Sequence, residues 1–448
     1  MKDLLAKYDV PAPRYTSYPT VPYWDTNPTR EQWTAYLKST LSSSVGGWSL
    51  YMHIPFCESL CTFCGCNNII TKDHKREMHY VDLVLKEWQL YSEQVPELLQ
   101  TPLKHLHIGG GTPTFLSAES LTALLQPILT QAKVDLNDFE GSIEVDPRRT
   151  NKEQLQALRK LGFSRVSMGV QDFNPEVQRL VNRIQPLHIT ADLTSAAREM
   201  GYTSVNFDLI YGLAKQTPQS ILETAKATVQ LRPDRIALYS FALVPWIKPA
   251  QRLFKDEDLP KASEKRALYE IARGVLLEAG YVEVGMDHFA LPTDNLCIAM
   301  NEKRLHRNFM GYTDQRTDVL LGMGVSAISE TPYSFHQNEK VLPLYESSLR
   351  AGQLPTLRGH VLTKEDQIRR DQILKLMTEF EVTFTNAADE SASQEFLSEM
   401  LSDSLIEIRD HKLIVKEQGR PFLRNVCVFF DERLKAKQPQ TKIFSQSI

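Results

Sequence analysis

Six short runs of β-branched and apolar residues punctuate the first half of the chain. They are WSLYMHI (48–54), KHLHIGG (104–110), GSIEVDP (141–147), SRVSMGV (164–170), SVNFDLI (204–210) and RIALYSFAL (235–243). Longer stretches with apolar residues at helical spacing lie between them, such as REMHYVDLVLKEWQLYSEQV and SAESLTALLQPILTQA. Ser117 and Glu119 suit a helix start, and TPQSILETAKATVQL opens on a Thr-Pro pair typical of an N-cap and first-turn proline. Strands alternating with helices predict βαβ units and parallel pairing. Six units fall short of the eight that close a TIM barrel, so the pattern predicts an open or partial α/β barrel.

The pattern changes on both sides of this core. Residues 1–45 form a Pro- and Tyr-rich arm, with SSSVGG after it as a hinge; residues 46–361 hold the barrel and an extension. In that extension KASEKRALYEIARGVLLEAG reads as an amphipathic helix, and the stretch from MDHFALPTDN to LLGMGVSAIS reads as site-forming loop. From 362 to 448 come the helix TKEDQIRRDQILKLMTEF and the hairpin LIEIRDHKLIV, turning at Asp410-His411. Helices followed by a hairpin predict a small winged-helix-like C-terminal domain, used for packing because no basic stripe accompanies it.

The chemistry-bearing residues cluster just after the strands. Cysteines follow the first and GGGTPT the second; Glu144 and Asp146 stand at the third, Gln171 after the fourth, Asp208 and YGL at the fifth, and Ala242 to Pro245 after the sixth. Barrel enzymes build their sites at these C-terminal strand ends, so all six point at one mouth.

Composition narrows the class. The 448 residues carry a formal charge of −4, which gives no sign of a nucleic-acid or membrane partner. The N-terminus lacks a signal-peptide core, and no apolar run is long enough to span a bilayer. Cys297 and Cys427 make no disulfide pattern, so a reducing cytoplasm is expected, with monomer as the default.

Four of the six cysteines fall in FCESLCTFCGC, spaced C-x3-C-x2-C-x-C. Structural zinc usually draws on two separated knuckles, and a thioredoxin-type pair accounts for neither Cys57 nor Cys66. Thiolates gathered on one loop suit an iron–sulfur cluster, with zinc and unliganded thiols as the alternatives.

C-x3-C-x2-C after a first barrel strand resembles the radical S-adenosylmethionine (SAM) superfamily. YMHIPFCESLCTFCGCN resembles one branch of it, the oxygen-independent coproporphyrinogen III oxidases. The resemblance runs through PRYTSYPT, GGGTPTFLS, SIEVDP, SMGVQDFNPEVQRLVNR, DLIYGLAKQTP, GMDHFA, LLGMGVSAIS and RPFLRNVCVFFD, and so covers nearly the whole chain. It implies a partial (β/α)6 TIM-like barrel in which Cys57, Cys61 and Cys64 hold a [4Fe–4S] cluster whose open iron takes SAM. Tyr51 and Phe63 would flank the cluster, and Gly110, Gly111, Thr112 and Glu144 would line SAM. Gln171, Arg183, Asp208, Ala242 and Ile328 match positions shared between two SAM molecules. The implied reaction turns the ring A and B propionates of coproporphyrinogen III into vinyl groups, with electrons from an unidentified donor.

A tetracarboxylate substrate wants cationic partners, for which Arg14, Arg307 and Arg316 are the candidates, Arg14 on an arm that could fold over the mouth. Cys66 reads as a non-ligand thiol beside the cluster, a hydrogen or proton donor or a structural residue. Two positions depart from the family pattern: Leu243, where relatives often carry histidine, and Met310, where some carry glutamine. Two competing readings remain, a haem-modifying or haem-degrading radical SAM relative and a haem chaperone using His53, His288 or His306.

Overall fold

The computed structural model describes residues 2–135, 137–437 and 444–447. Its centre is six parallel strands: β1 (Trp48–Ile54), β2 (Pro102–Gly110), β3 (Glu140–Val145), β4 (Phe163–Gln171), β5 (Ser204–Tyr211) and β6 (Arg235–Ser240). They pair in sequence order, and helices α1 (Arg76–Gln94), α2 (Ala118–Gln131), α3 (Lys152–Lys160), α4 (Leu187–Glu199) and α5 (Pro218–Leu231) provide the crossovers. Ser117 caps α2 by accepting the Ser120 N–H, and Thr217 caps α5 ahead of Pro218, as the sequence predicts. The two ends of the sheet do not pair with each other, so the barrel is partial.

Beyond β6 the extension is not loop. After α6 (Ala262–Glu278), the short antiparallel strands β7 (Val282–Val284) and β8 (His288–Ala290) add to β6. On the other edge β9 (Val319–Met323) lies parallel to β1, followed by β10 (Ile328–Glu330), β11 (Ser334–Asn338) and β12 (Thr356–Val361). These strands are only three to six residues long, too short for a periodicity signal. The SSSVGG segment is also no hinge: Asp318 accepts from the Ser44 hydroxyl at 2.7 Å and the Gly46 N–H at 2.8 Å.

The C-terminal part is mostly helical and winged-helix-like. Helix α7 (Lys364–Glu379) precedes β13 (Glu381–Thr383), β14 (Ile406–Arg409) and β15 (Lys412–Val415), the last two joined through Asp410 and His411, both at positive φ. Such a two-residue turn matches the twist of the strands it joins. Its core takes in Leu5, Tyr8, Tyr15 and Tyr18 of the arm beside Leu376, Phe422 and Phe430. The main core lies between β1–β6 and their helices. Among the described residues no helix is long and apolar enough to cross a membrane.

Candidate active site

The cysteine loop leaves β1 through Phe56 and is held from three sides. The Gly111 N–H donates to Ile54 O and the Thr112 N–H to Phe56 O, both at 2.8 Å. A Cβ on Gly111 would stand 2.7 Å from Pro55 O, so glycine is required for β2 to run this close to the loop. The glycines thus serve backbone-to-backbone contact with the loop. On the far side the Thr62 N–H donates to Val181 O, Asn182 to Leu60 O and Gln251 to Phe63 O.

Each of the three spaced sulfurs receives donors. Thr112 Oγ1 lies 3.4 Å from Cys57 Sγ; Arg148 and Arg183 approach Cys61 Sγ at 3.8 and 3.7 Å; the Cys66 N–H and Asn68 Nδ2 reach Cys64 Sγ at 3.4 and 3.5 Å. Asp146 orients both arginines, bonding Arg148 at 2.7 Å and Arg183 at 3.2 Å. Donors aimed at sulfur stabilise thiolate and tune a cluster bound through it. Among the described residues no three His, Cys, Asp or Glu side chains converge on a point that could hold a single metal ion. Cys66 is exposed. Its thiol hydrogen bond pushes the Cys64 thiol down, and its own is pushed up in return.

Above the loop the barrel lumen is polar. Glu144 accepts from His107 Nε2 at 3.3 Å and the Gly110 N–H at 3.2 Å, and its side chain is 42% accessible. Burial would raise its carboxyl, but these partners hold it below the usual value. Asp208 accepts from Ser167 and Asn206 at 3.1 and 2.9 Å, and burial together with the charge of Glu144 pushes it up to about 6. Tyr51 stacks on His107 and meets Phe309 edge-on. Gln171 ends β4 at positive φ, and the Arg183 guanidinium donates to Gly169 O at 2.6 Å. Deeper down, Arg235 binds Asp294 and Asp314 at 2.5 and 2.9 Å and Arg165 binds Glu140 at 2.7 Å, a buried network that closes the floor.

The remaining expected residues lie around these elements. Phe63 and Leu243 pack in one apolar cluster with Val177, Val181, Leu213 and Phe241 beneath the cysteine loop, so leucine at 243 has an apolar environment of its own. Ala242 is half-buried just past β6. Ile328 opens β10 and packs with Trp24 and Phe335. Met310 lines the lumen cavity beside Glu144, Asp208 and Tyr239. Arg14 donates to Ser240 O at 2.8 Å, at the end of β6. Arg307 is buried over the Tyr312 ring.

Arg316 is a correction. It precedes β9, whose start pairs with the start of β1, so it lies at the N-terminal end of the barrel, opposite the mouth. It faces a neighbouring cavity of about 210 Å3 with Arg370 and Glu330, which shares His105, Met310 and Thr313 with the lumen cavity. Sequence reasoning missed Arg148, His107 and Asn68. Arg148 stands directly after the Asp146-Pro147 pair, a signal that could have found it.

The radical SAM superfamily profile matches residues 51–228. Oxygen-independent coproporphyrinogen III oxidases of Salmonella typhimurium and Escherichia coli are each 41% identical, over 97% of this chain and 95% of theirs. That of Synechocystis is 39% identical over 100% and 97%. The solved structure of coproporphyrinogen III oxidase (HemN) from Escherichia coli, described as a radical SAM enzyme, superposes with a TM-score of 0.88 at 39% identity, covering 94% of this chain and 98% of that one. Full-length identity at this level, on a barrel whose mouth carries the three-cysteine loop, places the chain among the oxygen-independent coproporphyrinogen III oxidases of the radical SAM superfamily, whose members use a [4Fe–4S] cluster and SAM.

Proposed function

We propose that the chain catalyses the oxygen-independent decarboxylation of the ring A and B propionates of coproporphyrinogen III, giving protoporphyrinogen IX. The observation that carries this is the set of donors on Cys57, Cys61 and Cys64 at the same strand ends as Glu144, Arg183 and Asp208. These three thiolates hold the cluster. When bound there, the cluster and SAM would supply the radical hydrogen-abstraction chemistry that the decarboxylation of a propionate requires.

The chain's own groups bind and orient. Glu144 and Asp208 accept from the amine and hydroxyls of SAM, and Arg183 keeps its charge beside Cys61 and Asp146. Tyr51, Gly110, Gly111, Thr112, Gln171, Ala242 and Ile328 complete the walls for two SAM molecules, with Phe63 supporting the loop from behind. Arg14 and Arg307 face substrate carboxylates, while the position of Arg316 removes it from that role. Cys66, exposed beside Cys64, stands where a hydrogen or proton donor would. The enzyme acts as a cytoplasmic monomer fed by a separate electron donor.

The haem-chaperone reading finds less support. Both His53 nitrogens are engaged, by Tyr51 OH at 3.0 Å and Asn67 O at 2.8 Å, and His288 is held by Asp287 at 2.7 Å. The test is an anaerobic assay of the reconstituted protein with coproporphyrinogen III, SAM and a chemical reductant. Protoporphyrinogen with stoichiometric 5′-deoxyadenosine is expected; tight haem binding without turnover would overturn the proposal.

A further inference from the structure

Between the barrel and the C-terminal part lies a cavity of about 550 Å3, far larger than the lumen cavity of about 100 Å3. It sits on the outer side of the β5 and β6 ends. Ser240 and Asp287 line it, while their chain neighbours Tyr239 and His288 line the lumen. The two spaces are therefore separated by one residue's thickness of wall.

The charges around this crevice do not balance. Arg424 is 7% exposed and spends its guanidinium on the carbonyls of Ala12, Pro13 and Gln446, with no carboxylate partner among the described residues. Arg14 bonds only a carbonyl, Ser240 O, among the described residues. Arg307, also 7% exposed, has its nearest carboxylate oxygen on Asp287 at 3.7 Å, and its Nε and Nη1 make no hydrogen bond. Asp287 is already engaged by His288. Arg266 and Arg420 on the rim each leave a buried Nε without a partner. Of the other described carboxylates that line it, Arg273 and Tyr269 hold Glu283, Arg266 pairs with Glu270, and Glu417 lies 3.5 Å from Arg273.

Cations crowded into a buried place without counter-charge destabilise a fold unless an anion joins them. Burial, and after it the charge of Arg14, push the Arg424 guanidinium down to about 9. Tyr211 and Tyr269, with rings 5.3 Å apart, and Met286 supply apolar walls. A site of this kind takes a bulky apolar body bearing several carboxylates.

We propose that the crevice anchors the propionates that are not being decarboxylated, with Arg14, Arg266 and Arg424 as the residues that recognise a tetracarboxylate tetrapyrrole. This rests on the proposed function for the identity of the ligand. Decarboxylation leaves two propionates untouched, and a macrocycle gripped by those two presents the opposite edge over the wall of Tyr239 and Ser240 to the lumen.

The experiment is an anaerobic fluorescence titration of reconstituted enzyme with coproporphyrin III, which has four carboxylates, and mesoporphyrin IX, which has two. Wild type should prefer coproporphyrin by tenfold or more. Arg14→Met and Arg266→Met should each weaken coproporphyrin about tenfold, the loss of one charge-assisted hydrogen bond, and mesoporphyrin less than twofold. Arg424→Met should do the same in preparations whose circular dichroism matches wild type. Cluster absorbance near 400 nm and SAM binding should not move. Equal weakening of both porphyrins, or none, overturns the proposal. Should the enzyme bind with this preference and yet make no protoporphyrinogen, the proposed function fails and the crevice stands.

Discussion

Glu87 gives the sharpest test of the energetics. It lies on α1, fully buried, and accepts from the Gly324 N–H at 2.8 Å, Asn338 Nδ2 at 2.6 Å and Tyr345 OH at 2.6 Å. It thereby pins the turn that carries the chain from β9 to Ile328. Burial pushes its carboxyl up from 4.5 to about 7, even though these three donors pull the other way. Because the folded protein holds the proton more tightly than the unfolded chain, the stabilisation is complete below pH 4.5 and is lost as pH rises through 7. A rise of this size corresponds to about 3 kcal/mol across that window. Glu87→Gln keeps the shape and an acceptor but cannot ionise. The unfolding free energy of wild type minus that of the variant, from urea titrations of the cluster-free protein, should therefore fall by about 2–3 kcal/mol between pH 5 and pH 8. A difference that stays flat, or climbs with pH, would refute the assignment of a buried, proton-holding carboxyl.

Three further outcomes follow from the site. Cys57→Ser, Cys61→Ser and Cys64→Ser should each lose the absorbance near 400 nm after reconstitution, whereas Cys66→Ser should keep it; a full cluster in any of the first three removes that ligand. Gly111→Ala places a methyl 2.7 Å from Pro55 O and should abolish cluster assembly while far-ultraviolet circular dichroism stays unchanged, and normal reconstitution would contradict it. With Asp208 pushed up to about 6, SAM affinity should rise as pH increases through 6 and lose that dependence in Asp208→Asn, which isothermal titration can check.

The six core strands were legible because long, β-branched runs alternate with helices, three of them capped by Ser117, Asn151 and Thr217. β7 to β12 were not, because strands of three to six residues interrupted by Gly and Pro carry little periodicity of their own and form by pairing with edges already built. In the site, residues tied to the cysteine spacing and to strand ends could be read directly. What could not be read was which arginines share a cavity. Arg14 and Arg424 are four hundred residues apart in sequence and meet only because the arm packs into the C-terminal core. Arg316 looked equivalent to Arg307, yet β9 runs parallel to β1 and carries it to the wrong end of the barrel.

That arm has a consequence for how the molecule is made. Leu5, Tyr8, Tyr15 and Tyr18 leave the ribosome some four hundred residues before their partners Phe422, Arg424 and Phe430. At about 5–20 residues per second the arm waits tens of seconds for its seat. During that interval the barrel and its cysteine loop can form, while the cationic crevice, which needs both ends of the chain, cannot. If the crevice is the propionate anchor proposed above, substrate capture is acquired after the barrel, and a chain lacking Arg424 and its surroundings would have the strands for a cluster but no grip on a tetrapyrrole.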